Sequence, residues 1–350
     1  MHTTFIVGAG ASKAVWDLPV LGEFLAACHD ELQKDTYKEL REFISSRFGE
    51  LDKTNLEEVL TDLDNILTGL GGMWYSAEGH PERTRALRAR AQLVGLIRHG
   101  VECDIGAPDT WTPQYDVVFR DIQAPDQIVT FNYDMGLENY LNLRNRKGNL
   151  EATTGTTAIQ GSREYYLSLM AERMHHLLCD IDPGRGEAEV ALSLDWSMCL
   201  LKLHGSVDFA TCSNQSCPKR LTISTMPIWG VSPQICYACG ADLEGVIIPP
   251  SLIKPFERHP KIAMMWRLAS VCLNRSERLI IWGFSCPPTD HQVLSLFRSC
   301  REQKLIKSVV LIDPSADEVR KRLRPVLDPQ DQLSWSLYSD HKHYQRGEQL

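Results

Sequence analysis

The chain has 350 residues, 43% of them apolar and 23% charged, with a net charge of −8; this suits a globular protein of one large domain or two ordinary ones. Lys and Arg are scattered rather than massed, which speaks against a nucleic-acid surface, since phosphate binding depends on a basic footprint. No apolar run approaches the ~20 residues that span a bilayer, and no charged n-region precedes an apolar h-region at the start, so the expectation is a cytoplasmic protein with no membrane contact.

The first element expected is a short buried strand over Thr3–Val7, followed by Gly8-Ala9-Gly10-Ala11-Ser12 and a helix opening near Ser12. From Leu18 to about Val101 the pattern is mostly helical. In "TNLEEVLTDLDNIL", Thr54 and Glu57 have the spacing of a capping box, and Leu56, Val59, Leu60, Leu63 and Leu67 share one face. "GLGGMWYSAEGHP" interrupts this region before a second helix, "ERTRALRARAQLVGLIRHG".

A strand "QIVTFNYD" follows, then helices near 135–143 and 163–179 separated by a loop. "MCLLKLHGS" is the next buried strand. Beyond a cysteine-bearing segment come "VIIPPS", a helix over about 260–274, the strand "RLIIWGFS", a helix near 290–301, the strand "SVVLID" and a helix near 315–323. Nearly apolar strands alternating with helices predict an α/β fold: a Rossmann-like parallel sheet with helices on both faces. The predicted organisation is one domain over 1–330, with a helical insert at about 20–110, a zinc-ribbon insert at about 209–244, and 331–350 set apart as a C-terminal tail.

Polar residues gather after Val7, Thr130, Leu203, Ile281 and Ile312, the carboxyl ends of five strands, where open α/β sheets bind ligands. Gly8-x-Gly10 lets a backbone approach a pyrophosphate at a helix N-terminus, with Ser12 adding a hydroxyl. The third glycine of the dinucleotide fingerprint is replaced by Lys13, and the same turn also serves a strand-to-helix joint that has no ligand. Asn132 and Asp134 suit a water, a ribose hydroxyl or a carboxamide, or else an Asx turn capping the next helix. His204, just past a buried strand, suits proton transfer near neutral pH, although a single strand-end histidine is more often structural. Gly283, Ser285 and Asp313 end two further strands.

Eleven cysteines, an odd number, suit a reducing compartment better than a disulfide framework. Cys212-x4-Cys217 and Cys236-x2-Cys239, with eighteen residues between the pairs, have the spacing of two metal knuckles; the other reading is four unpaired thiols. Four sulfurs leave no open coordination position, so the zinc they would hold is structural.

The order GAGxS, T-x-N-x-D, HGS, paired cysteines, G-x-S and a strand ending in an acid resembles the sirtuin fold. "GFSCPPTD" and "IIPPSLIKPF" look closer to bacterial sirtuin-like proteins of anti-phage defence, many of which destroy NAD. The resemblance implies that Gly8, Ala9, Gly10 and Ser12 cradle the pyrophosphate, that Asn132 and Asp134 line the nicotinamide-ribose pocket, and that His204 is the base. It implies that Gly283, Ser285 and Asp313 hold the adenosine half, with Pro19 near the proline of the sirtuin cofactor loop. That loop lacks its arginine here, and Phe131 replaces a glutamine. Pro249-Pro250 removes backbone donors that pairing with an acyl-lysine peptide would use.

These residues lead to the expectation of an NAD glycohydrolase releasing nicotinamide and ADP-ribose, with NAD as substrate. The alternatives are an NAD-dependent deacylase or ADP-ribosyltransferase and a non-catalytic NAD or ADP-ribose sensor; a dehydrogenase is disfavoured by the missing third glycine. A trigger is expected as well, through a homo-oligomer or a defence-system partner such as an ATPase.

Overall fold

Strands apolar on both sides must be covered on both sides, and that requirement sets the architecture. The computed structural model describes residues 2–69, 80–101, 112–122, 126–146, 199–214, 216–217, 235–248, 260–287, 290–302 and 305–346. The expected loop after 146, the expected helix at 163–179 and Pro249-Pro250 lie outside them. The strands are β1 (Thr3–Val7), β2 (Gln127–Thr130), β3 (Cys199–Lys202), β4 (Gly205–Cys212), β5 (Leu243–Ile247), β6 (Arg278–Trp282), β7 (Ser308–Ile312) and β8 (Ser334–Tyr338).

Six of them form one all-parallel sheet in the order β3-β2-β1-β6-β7-β8. The order reverses between β1 and β6, the switch point of a doubly wound sheet. Side chains alternate across it with period two. Ile6, Val129, Leu201, Ile281 and Leu311 enter one buried cluster, and Phe5, Val7, Ile128, Leu200, Ile280 and Ile312 enter the opposite one. The first face is covered by α9 (Pro260–Arg275), α10 (His291–Glu302) and α11 (Ala316–Leu327), the second by α1 (Ala9–Trp16), α7 (Pro113–Phe119), α8 (Gly136–Arg146) and α12 (His341–Arg346).

Between α1 and α7 a helical unit packs around its own core: α2 (Phe24–Ala27), α3 (His29–Leu32), α4 (Lys38–Arg47), α5 (Leu56–Thr68) and α6 (Pro81–Val101). Helix α5 buries Leu56, Val59, Leu60, Leu63 and Leu67, as its periodicity predicts, but its cap is Asn55 rather than Thr54. The Asn55 side chain accepts from the Glu57 N–H at 2.8 Å, while the Thr54 hydroxyl donates to Glu50 O at 2.7 Å. The N-cap therefore lies one residue later than the capping-box reading placed it.

A second correction concerns the C-terminal segment. Residues 334–338 form β8, which pairs with β7 along its whole length, and α12 then returns Tyr344 to the sheet's second face. The segment set apart as a tail completes the sheet. Strands β4 and β5 form a separate antiparallel hairpin. No helix among the described residues is long and apolar enough to cross a membrane.

Candidate functional site

Register brings the strand ends level. Val7 pairs with Thr130 on one side and Trp282 on the other, Thr130 with Lys202, and Trp282 with Ile312. Gly8, Asn132, His204, Gly283 and Asp313 each follow one of these ends by one or two residues, so five distant segments open on one edge.

The glycines there form a backbone joint. Gly8 N–H donates to Trp282 O at 3.0 Å and Gly10 N–H to Gly283 O at 2.8 Å. A Cβ on Gly8 would lie 2.4 Å from Gly283 O, and Gly283 has φ +62°, with Ala11 N 2.0 Å from where its own Cβ would be. Only glycine allows this approach. Gly8 is thus committed to packing against the β6 turn and does not line the cavity beside it. This close packing engages the N–H groups of both Gly8 and Gly10.

The cavity holds about 430 Å³, within the range of small-molecule sites. Of the residues singled out in the sequence, Ala9, Gly10, Ser12, Pro19, Asn132, Asp134, His204, Gly283, Ser285 and Asp313 all line it. Its roof comes from the helical unit, through Phe24, Leu56, Glu57, Ile97 and Val101. Four carboxylate residues line it, Glu57, Asp134, Asp290 and Asp313, and among the described residues no Lys or Arg does.

Asn132 is buried and its orientation is dictated by its neighbours. Its Nδ2 donates to Gly8 O at 3.0 Å and to Ser12 Oγ at 2.9 Å, and Ser12 Oγ donates on to Asp134 Oδ2 at 2.7 Å. Because Gly8 O can only accept, the amide nitrogen must face it. Oδ1 is left buried with no protein partner among the described residues. Asp134 Oδ1 accepts from Gly136 N–H at 2.9 Å and opens α8, so the Asx turn and the cavity position belong to the same side chain. Beneath this turn the buried Lys202 donates to Asp134 O and to Glu138 Oε1, each at 2.5 Å.

His204 is 3% exposed and lies between aromatic rings, 5.1 Å from Phe131 and 6.2 Å from Trp266 between centroids. Its Nε2 stands 3.3 Å from Asp290 Oδ2. Tyr133 donates to Ile248 O at 3.0 Å; burial, reinforced by Glu57 and Asp290, pushes its hydroxyl up, so it stays protonated. Burial also raises the Asp313 carboxyl, against the Ser315 N–H that stabilises its charged form. Sequence reasoning read Asp290 only as the opening of a helix and missed Glu57, Tyr133 and the apolar roof. The roof residues carry no strand-end signal, and Tyr133, though it follows β2, is an aromatic flanked by the polar residues that drew notice.

At the far end of the β4–β5 hairpin the Sγ atoms of Cys212, Cys217, Cys236 and Cys239 all lie within 4.8 Å of one another. Cys212–Cys239 is 3.4 Å and Cys217–Cys236 is 3.7 Å, far beyond a disulfide and near the ~3.8 Å edge of a tetrahedral zinc–sulfur site. The Ala241 N–H draws the Cys239 thiol down to about 7. This donor set fits a closed structural zinc.

The fold and the site define a doubly wound α/β protein with a ligand cavity at its switch point and a four-thiolate metal site. No protein-family model matches the chain and no curated protein matches it. Among solved structures, the chain is similar to a Sir2 homologue in complex with NAD, at 14% identity and a TM-score of 0.46, covering 99% of this chain and 87% of that one. It is similar also to a triple mutant of Sir2 homologues with 2′-O-acetyl-ADP-ribose, at 13% identity and a TM-score of 0.45, covering 100% and 94%. A third likeness is to Sir2Tm bound to a propionylated peptide, at 13% identity and a TM-score of 0.41, covering 99% and 91%.

Proposed function

We propose that the cavity binds NAD and that the protein hydrolyses its nicotinamide–ribose bond, releasing nicotinamide and ADP-ribose. The observation that carries this reading is the fixed amide of Asn132, whose unpartnered Oδ1 belongs to the same cavity as His204 on the neighbouring strand end. A buried acceptor without a partner is costly unless something fills it. Here Oδ1 holds the attacking water beside the anomeric carbon. His204 takes that water's proton as the C–O bond forms, within hydrogen-bond reach.

The chemistry suits the lining. The nicotinamide ring of NAD is cationic and leaves as a neutral base, through a sugar carrying oxocarbenium character. A cavity lined by four acidic residues and no described Lys or Arg stabilises that positive charge. Ala9, Gly10 and Ser12 at the start of α1 hold the pyrophosphate, with the helix dipole in place of a cationic side chain. Gly10 does so through the close approach that its missing side chain allows, since its N–H is taken by Gly283 O. Asp313 and Ser285 take the adenosine half, and Pro19 and Asp134 the nicotinamide-ribose half. Uncontrolled cleavage would deplete the cell of NAD, so the helical unit over the cavity is the surface on which a trigger, a second copy or a defence-system partner, would act.

Purified protein incubated with NAD, with and without an acetylated peptide, tests the reading by chromatography of the products. Nicotinamide and ADP-ribose without peptide are the expected result. O-acetyl-ADP-ribose formed only with peptide would make the protein a deacylase, and intact NAD with measurable binding would make it a sensor.

A further inference from the structure

Asp313 follows the last residue of β7 and, on the β6 side of the switch point, is the outermost strand-end residue lining the cavity. Its backbone is pinned on both sides. The Asp313 N–H donates to Tyr338 O of β8 at 3.0 Å, and Ala316 N–H donates to the Asp313 carbonyl at 3.0 Å. The side chain is anchored at one oxygen, where Oδ1 accepts from Ser315 N–H at 2.8 Å. Oδ2 takes no part in that hydrogen bond and remains for a ligand.

The surroundings of this carboxylate do not welcome a phosphate. Helix α11 carries Asp317 and Glu318 in its first turn, and acids there oppose an anion at the helix start. Lys321 and Arg322 one turn further on are directed to the same helix. Lys321 Nζ lies 2.7 Å from Glu318 Oε1, and Arg322 Nε donates to Glu318 O at 3.3 Å. Neither lines the cavity, nor does any other described Lys or Arg. Burial raises the Asp313 carboxyl, while the Ser315 N–H and the charge of Arg322 favour its ionised form.

We propose that Asp313 sets the choice of dinucleotide: its carboxylate accepts from the hydroxyls of the adenosine ribose and rejects a dinucleotide that carries a phosphate on the 2′ oxygen. The inference rests on the NAD reading of the cavity. With the pyrophosphate at the start of α1, the adenosine half lies over the ends of β6 and β7. A strand-end carboxylate in a doubly wound sheet is an acceptor suited to ribose hydroxyls there. A 2′-phosphate replaces a donor with negative charge and meets Asp313 with no described cation in the lining to answer it. One side chain thus supplies both the attraction and the rejection that specificity needs.

The test uses the full chain and compares NAD with NADP by nicotinamide release, and ADP-ribose with its 2′-phosphate by calorimetry. In the parent, kcat/KM for NAD should exceed that for NADP at least about 100-fold. Asp313→Asn keeps an oxygen for the Ser315 N–H and removes the charge. Its kcat/KM should fall several-fold for NAD, through KM, and rise at least about tenfold for NADP. A misfolded variant cannot produce such a rise. Asp313→Glu, which keeps the charge, should gain no use of NADP. Equal use of the two dinucleotides by the parent, an unchanged ratio in Asp313→Asn, or the same gain on NADP in Asp313→Glu would overturn the proposal. If NAD is left intact, yet ADP-ribose binds and its 2′-phosphate binds only to Asp313→Asn, the hydrolase reading falls and the role of Asp313 stands. If neither nucleotide binds, both fall.

Discussion

The side chain of Asn132 reaches back 124 residues to the Gly8 carbonyl and shares a hydroxyl, that of Ser12, with Asp134. Substitution by alanine removes both donor contacts and leaves the Gly8 carbonyl with the Ala11 N–H alone, at a cost of about 1 kcal/mol in a denaturant titration. The larger effect belongs to chemistry: Asn132→Ala should lower kcat for NAD cleavage at least about 100-fold, while ADP-ribose, which needs no attacking water, still binds within a few-fold of the parent by calorimetry. Equal losses in turnover and ADP-ribose affinity would assign Asn132 to binding alone. The residue type was legible in "TFNYD" because an amide at a strand end is rarely idle. Its orientation was not, because the group that fixes it belongs to another strand. The same limit applies to the first turn, where Gly8 and Gly10 read as a ligand cradle while the crowding at Gly283 that demands them lies more than 270 residues away.

Among the elements, the internal strands of the sheet could be read from the chain because burial on both faces requires unbroken apolar runs such as "FIV", "LII" and "VVLI". Strand β8 escaped notice for the converse reason. It is an edge strand in which only Leu337 and Tyr338 are buried, so "SWSLY" lacks that signature. The pairing of β4 with β5 was hidden because its apolar residues, Phe209, Val246 and Ile247, are shared among other clusters and its far end is built on cysteines. That hairpin begins at Gly205, directly after His204; Gly205 has φ +81°, and a Cβ there would sit 2.0 Å from Val246 O. The metal site at one end thus governs the strand pairing that seats His204 at the other. Cys236→Ser should abolish binding of one zinc equivalent per chain, measured by metal analysis, and speed amide exchange in β4 and β5 while the six-stranded sheet keeps its protection. Turnover should fall with it. Unchanged zinc content would dismiss the four-thiolate site.

At the scale of the whole molecule, the cavity lies between two units whose cores form separately, the sheet with its helices and the helical unit over it. Sequence patterning located both bodies but not their contact, because amphipathic periodicity says which face is buried and not against what. The contact combines apolar packing, with Tyr133, Ile247 and Val207 set into the helical unit's core, and hydrogen bonds from arginines. Arg90 of α6 donates to Asp64 Oδ1 of α5 at 2.7 Å and to Ile247 O of β5 at 2.9 Å, and Arg98 donates to Val207 O of β4 at 3.2 Å. Arg90 and Asp64 are largely buried, and the second Asp64 oxygen has no partner among the described residues. Arg90→Ala leaves that carboxylate uncompensated and should cost roughly 3 kcal/mol in urea unfolding. Replacing both residues, Arg90→Met with Asp64→Leu, should recover most of that stability, since an apolar pair of similar volume carries no desolvation cost. The tether to Ile247 O stays broken in the double variant, so KM for NAD should remain raised even where stability returns. Recovery of both together would mean that Arg90 acts through stability alone and that the roof keeps its position without it.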